Sequence, residues 1–374
     1  MMQEKQYPFY LKSTVILFGL VLLTYVLINL HDILTPLAFA LIIAMLLNPL
    51  VNKLRKNKVP NVLAIFIALL MAITVIGLIF YFLSSQIAGL SENLPALKSR
   101  FNSILQDVQN WLQAKFGLST QKQMQLINEG MNSSKAVIGS TLNSALGTIG
   151  VMLLLPVYVF MLLFYKSLIL NFLYGVFAEE NSKKVGEILG QTKIAIQSYM
   201  VGLLFEATIV AVLNSTALLI IGVKYAVLLG VLGALLNLLP YIGGLIAIIL
   251  PVLMATVTND GYSMQLYIII AYMIIQFVDN NILVPRIVSS KVQINALISI
   301  LVVLLGNALW GISGMFLSIP FVAILKIIFD RVEGLKPWGQ LLGDEVPTAP
   351  SRFNLKKSKR QSVAEKVVGD SASK

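Results

Sequence analysis

Residues 226–256 read AVLLGVLGALLNLLPYIGGLIAIILPVLMAT, two apolar arms that meet at Asn237, Pro240, Gly243 and Gly244. As one straight helix this stretch would be about 46 Å long, against a bilayer hydrocarbon core of roughly 30 Å. Each arm alone reaches about 21–24 Å, too short to cross comfortably. The pattern predicts a re-entrant hairpin, two half-helices that enter and leave on the same side. Broken backbone at membrane depth persists only where protein or a water-filled cavity satisfies its freed polar groups. Segments of this kind point to a transport pathway.

Composition agrees with a membrane setting. Hydrophobic residues make up 57% of the chain and charged ones 12%. A soluble chain of 374 residues would need far more charge to cover its surface. Without cysteine, disulfides and thiolate chemistry are excluded, and the single histidine, His31, excludes a multi-histidine metal site. The net charge of +11 would suit nucleic acid, but the basic residues gather in loops and in the tail, where they set topology. No nucleic-acid partner is expected. The chain has no Walker loop, HExxH, GxSxG or dinucleotide fingerprint, so neither an enzyme nor a cofactor is expected.

Working outward from the hairpin, apolar runs at 14–30, 33–51, 62–83 and 146–165 read as spans one to four, and 199–222 as a fifth. Lys5 and Lys12 precede the first run as in a signal peptide, but no small-x-small cleavage site follows, so an uncleaved span is expected. The loop NKLRKNK at 52–58 is basic without an acid, which places it and the N-terminus in the cytoplasm. Residues 84–145 then lie outside. There Leu90, Leu94, Leu97, Phe101, Ile104 and Leu105 recur at steps of three and four among polar residues, the signature of amphipathic helices. If 226–256 is a hairpin, a span at 264–284 carries VPRIVSSK (284–291) to the cytoplasm, which the positive-inside rule prefers. A second interrupted pair, 292–310 and 311–329, meets at GNALWGISG (306–314), with Pro320 in its second arm. The sequence leaves open whether these are a hairpin or two short spans. Beyond residue 346 the chain is rich in Lys and Ser and reads as a tail near anionic headgroups.

The expected fold is therefore all-α: a polytopic membrane protein with about five full spans, two broken-helix or re-entrant pairs and an outer amphipathic helical region. Residues 1–83 would hold spans one to three, 84–145 an extracytoplasmic helical cap, and 146–222 spans four and five with a cytoplasmic loop. A broken-helix transport core would occupy 223–330 and a basic cytoplasmic tail 331–374. Both termini would be cytoplasmic.

Ionisable groups inside apolar spans are costly and usually functional. Glu206 lies within span five and Asp279 near the end of 264–284, at similar depth, so they could face one cavity. Gln276, Asp279 and Asn280 share one helix face at i, i+3 and i+4, with Asn281 and Arg286 close by. A carboxylate with amides suits a cation or a hydroxylated solute. Two structural readings compete: an Asp279–Arg286 contact that locks the helix end, and a Glu206 that only bonds across helices. At the first turn, Asn237, Gly243 and Gly244 suit either close approach of a solute to the N-terminus of the second arm or tight helix packing. Gly311 and Gly314 carry the same two readings at the second turn. Asn48-Pro49 is expected to close and cap the second span, His31-Asp32 to sit in a solvated outer turn, and Lys326 to snorkel.

At this point LLNLLPYIGGLIAIILP, together with QFVDNNILVPRIVSSKVQINALISILVVLLGNALWGISGMFLSIPFVAILK, resembles the signature of the autoinducer-2 exporter family of bacterial permeases. LLNPLV at the end of the second span fits as well, and the resemblance covers roughly residues 10–330. It implies a multi-span inner-membrane protein that exports small polar solutes, autoinducer-2 among them. It also places the family's turn on Pro240, Tyr241, Ile242 and Gly243, its acidic-Asn-Asn…Pro-Arg element on Asp279, Asn280, Asn281, Pro285 and Arg286, and its second turn on Gly311, Ile312, Gly314 and Met315. Relatives commonly carry Glu where this chain has Asp279, and many carry His-Pro where it has Asn295-Ala296.

The sequence thus reads as a secondary transporter that exports a small polar solute by alternating access, with a proton or sodium ion as a possible coupling partner. The alternatives are a sodium (lithium)/proton antiporter using the same carboxylates, and a non-transporting membrane scaffold. The lipid bilayer is the expected surrounding, and a homo-oligomer is open, because Gly147, Gly150, Gly230 and Gly233 suit contacts within a protomer or between protomers.

Overall fold

A computed structural model describes residues 8–92, 94–116, 154–176, 179–239, 243–259, 261–288 and 294–344. Residues 345–374 of the expected tail, the later part of the outer cap and the start of span four lie outside the described residues, and so does Pro240. Among the described residues the secondary structure is helical, without strands. In chain order come α1 (Phe9–Asn29), α2 (His31–Lys56), α3 (Asn61–Glu92), the amphipathic α4 (Leu94–Phe116), α5 (Leu154–Phe164) and α6 (Lys166–Val176). They are followed by α7 (Glu179–Ile221), α8 (Ala226–Asn237), α9 (Gly243–Thr258), α10 (Ser263–Val278), a π-type segment (Asp279–Val288), α11 (Ala296–Arg331) and a short α12 (Lys336–Leu342). Six stretches are long and apolar enough to cross a membrane, in α1, α2, α3, α7, α10 with its π-type extension, and α11. α5 and α6 form a further apolar pair bent by 62°.

α7 organises the interior. At 43 residues it would measure about 65 Å, twice a hydrocarbon core, so its charged first turns project beyond the apolar slab. One side of it, Ile196, Tyr199, Met200 and Leu203, packs with Ala38 and Ile42 of α2 and Leu317 and Ala323 of α11. Farther along, Leu218 packs with Leu229 of α8, Ala247 and Ala255 of α9, and Ile268 and Tyr272 of α10. A third cluster joins α2, α3 and α5 through Ala40, Ile65, Ala68 and Val159. By contrast, the large side chains of α1 and most of those along α3 face outward, as lipid-facing helices require.

Both interrupted pairs fold as hairpins, each by its own route. α8 packs on both α7 and α9, and α9 packs on α10. A Cβ added at Gly230 would collide with the Ser215 backbone, so α8 lies directly against α7, a contact within the protomer. In α11 the helix runs to Trp310 and reverses there: Trp310 has φ −135° and ψ 21°, and Gly311 has φ 58° and ψ −141°. A straight helix would separate Gly306 from Gly314 by about 12 Å. Instead a Cβ at either glycine would strike the other's carbonyl. The second pair is therefore two arms that fold back on each other without a loop.

Two sequence expectations are corrected. Asn48-Pro49 does not close the second span, because α2 continues to Lys56. Pro49 has no N–H to offer the Met45 carbonyl, and the Gln197 side chain of α7 donates to that carbonyl instead. Asn48 accepts from Lys166 Nζ at 3.0 Å, so it joins helices rather than capping one. His31 and Asp32 form the first turn of α2 rather than a loop, since Leu30 alone separates α1 from α2. Asp32 there complements the helix dipole and pairs with His31 Nε2 at 3.1 Å.

Candidate functional site

Four elements converge at the broken end of the first hairpin. Asn237 is the last residue of α8, and its side-chain amide donates to Glu206 Oε1 of α7 at 3.1 Å and to Asp279 Oδ2 at 2.8 Å. The two carboxyl oxygens can be no farther apart than those two bonds laid end to end. Glu206 is 4% exposed and Asp279 2%. Gln276 Nε2, one turn before Asp279, donates to Asp279 Oδ2 at 3.5 Å and to Asn280 Oδ1 at 3.3 Å. No basic side chain among the described residues pairs with either carboxylate. Like charges held this close in a water-poor site call for a positive charge between them, a proton or a metal cation.

The sequence explains this geometry locally. Gly243 starts α9 flush against α8, where a Cβ would meet the Leu236 carbonyl and the Asn237 Cα. A Cβ at Gly244 would meet the Gln276 amide oxygen. The two glycines thus let the start of α9 close up against the end of α8 and against α10. Gly243 N–H also donates to Leu239 O at 3.0 Å across the break. At Asp279 the helix widens to π geometry, a form often found at functional sites, and Asn281 Nδ2 donates to Phe277 O at 2.8 Å.

Of the residues singled out from sequence, the structure brings together Glu206, Asn237, Gly243, Gly244, Gln276, Asp279 and Asn280. It does not bring Arg286 to Asp279: Arg286 is exposed and forms no ion pair among the described residues. Gly311 and Gly314 lie at the second reversal, where Trp310 Nε1 donates to Leu27 O of α1 at 2.9 Å.

Beside the carboxylates opens a small cavity of about 10 Å³, lined in part by Val210, Asn214, Gly233, Asn237, Tyr272 and Asp279. Sequence reasoning missed Asn214, Gly233 and Tyr272. Helical spacing held the signal: Asn214 follows Glu206 by two steps of four, and Tyr272 precedes Gln276 by four. Three buried oxygens at this cavity, Asp279 Oδ1, Asn214 Oδ1 and the Tyr272 hydroxyl, have no hydrogen-bond partner.

Several known proteins are similar to this chain in sequence. The AI-2 transport protein TqsA of Escherichia coli (strain K12) is 29% identical over 316 residues, covering 84% of this chain and 90% of TqsA. YueF of Bacillus subtilis (strain 168), whose name assigns it provisionally to transport, is 25% identical over 314 residues, covering 79% of this chain and 83% of YueF. YrrI of the same organism, named in the same provisional way, is 25% identical over 308 residues. The model of the AI-2E family transporters matches residues 15–334, which include every element of the site. The chain belongs to the AI-2E transporter family.

Proposed function

We propose that this member of a transporter family is a secondary transporter that exports a small polar solute, such as the AI-2 in TqsA's name, by alternating access at the Glu206–Asn237–Asp279 cluster. The observation that supports this reading is the placement of Asn237. It ends a half-helix and bonds carboxylates from two other helices, so moving the hairpin breaks or remakes the site. Two carboxylates with amides offer acceptors and donors to hydroxyl groups and repel anions. On this reading the basic end of α2 faces the cytoplasm of a bacterial cell, and rocking or sliding of α8–α9 exposes the cluster to each side in turn. A second reading, sodium/proton exchange, draws on the same close pair of carboxylates.

Flux in proteoliposomes tests both, with labelled autoinducer-2 and a pH dye run in parallel on wild type and Asp279→Asn. Autoinducer-2 flux that falls in the variant supports the exporter. A sodium-driven pH signal without autoinducer-2 flux moves the protein to cation exchange. Wild type silent in both assays would sink transport at this cluster and favour a scaffold.

A further inference from the structure

We propose that Lys166, Lys193 and Arg55 hold the phosphate of an anionic phospholipid whose acyl chain lies in an apolar groove between α2, α7 and α11. The cations come from three helices. Lys166 stands at the elbow where α6 turns away from α5 by 62°, and its Nζ donates to Asn48 Oδ1 of α2 at 3.0 Å. Burial, and after it the charges of Lys193 on α7 and Arg55 on α2, disfavours its ammonium. Among the described residues no carboxylate forms an ion pair with any of the three. An ammonium has three protons to donate, and the bond to Asn48 uses one. Gathered positive charges with donors to spare fit a phosphate, which would offset their mutual repulsion.

The groove fixes the rest of the ligand. Apolar side chains alone line it, among them Leu41, Met45, Ile196, Phe321 and Ile324. Asn48 follows Met45 by three residues on α2, and Lys193 precedes Ile196 by three on α7. On both helices the polar residue therefore lies about one turn from the groove and near the same face. On α2 that turn leads toward the basic end, Lys53, Arg55 and Lys56, so the cations stand at the charged end of the groove.

α6 marks the membrane boundary beside them. Leu168, Ile169, Phe172 and Val176 share one face of α6 and are all exposed. An outward apolar face on a helix bent away from its neighbour, with a basic residue at its start, suits the boundary between headgroups and acyl chains. A soluble anion would use the cations and leave the groove empty, whereas a phospholipid uses both. The site does not depend on which solute the protein carries.

The test uses the full chain in a neutral detergent, with native mass spectrometry to count bound lipid and melting temperature as a second readout. Wild type is expected to retain phosphatidylglycerol in preference to phosphatidylcholine of the same chains, and to melt higher in its presence. Arg55→Gln combined with Lys193→Gln spares the bond between Lys166 and Asn48. Phosphatidylglycerol affinity should fall about 30-fold in this double variant, about fivefold for each charge, while melting without lipid should not drop. Lys58→Gln removes an exposed cation outside the cluster and should bind like wild type. Leu41→Trp, at the exposed rim of the groove, should shrink the advantage of long acyl chains over short ones. Equal retention of the two lipids by wild type overturns the site, as does a double variant that binds phosphatidylglycerol normally. Inorganic phosphate that competes on equal terms with the lipid would make this a soluble-anion site and overturn the proposal. A Lys58→Gln loss as large as that of the double variant would reduce the attraction to diffuse charge, and an unchanged chain-length preference in Leu41→Trp would remove the groove; either result overturns it.

Discussion

The α8–α9 hairpin and the α11 hairpin have the same hydropathy, two apolar arms broken at glycines, yet they are closed by different physics. The first ends on a polar side chain that reaches two carboxylates from other helices. The second ends on backbone pressed against backbone, Gly306 on Gly314, with an indole tied to α1. On the proposed reading one break carries chemistry and the other carries shape. An exchange of roles would show in opposite readouts: substitutions in the first should alter flux in a folded protein, and substitutions in the second should alter folding before flux.

The largest effect is expected at Gly314→Val. The new side chain would enter the space of the Gly306 carbonyl, and neither backbone can yield without parting the two arms. Folded, monodisperse protein should be lost, as read by fluorescence size exclusion. Recovery of normal folded yield would mean that the arms are not in contact in the membrane. Next comes Asn237→Leu, which removes both bridging bonds and leaves Asp279 with only the long bond from Gln276. Hydrogen bonds to charged groups contribute about 1.5–3 kcal/mol, so solute flux should drop by about 100-fold in protein that still elutes as folded. Flux within twofold of wild type would show that the first hairpin, like the second, is only scaffolding.

A smaller effect is expected at Gly311→Ala. With φ at 58° and ψ at −141°, the position lies in backbone territory reserved for glycine, and strain there costs about 1–3 kcal/mol. The melting temperature should fall while the solute KM stays unchanged, because the proposed site lies at the other hairpin and a Cβ here meets nothing within 4 Å. A raised KM with intact stability would place Gly311 in the pathway and erase the contrast between the hairpins.

Much of this was legible in the chain because hydropathy and length are local properties. Arms too short to cross predict a hairpin from sequence alone, and the i, i+3, i+4 set Gln276, Asp279 and Asn280 declares its shared face by spacing. What escaped depends on distant partners. Pro49 reads as a helix end until Gln197, far along the chain, supplies the bond that Met45 loses. Asn214 and Tyr272 read as ordinary span residues until α7 and α10 bring their oxygens to one cavity. The reversal at Trp310–Gly311 needs no loop residues, so nothing in composition separates a hairpin from two spans there.

The smallest effect sharpens the comparison from its far end. Arg331, the last residue of α11, pairs with Glu187 of α7 at 2.5 Å, while among the described residues no ion pair ties the end of α9. Both partners are partly open to solvent, with side chains 31% and 48% exposed, so the pair is worth only about 0.2–1 kcal/mol. Arg331→Gln should lower the melting temperature slightly at low salt, and the difference should vanish at high salt. If α8–α9 moves during transport while α11 stays docked on α7, this variant should leave flux unchanged. A change in flux larger than the change in stability would mean that α11 moves too, and that the shape-bearing hairpin belongs to the mobile unit.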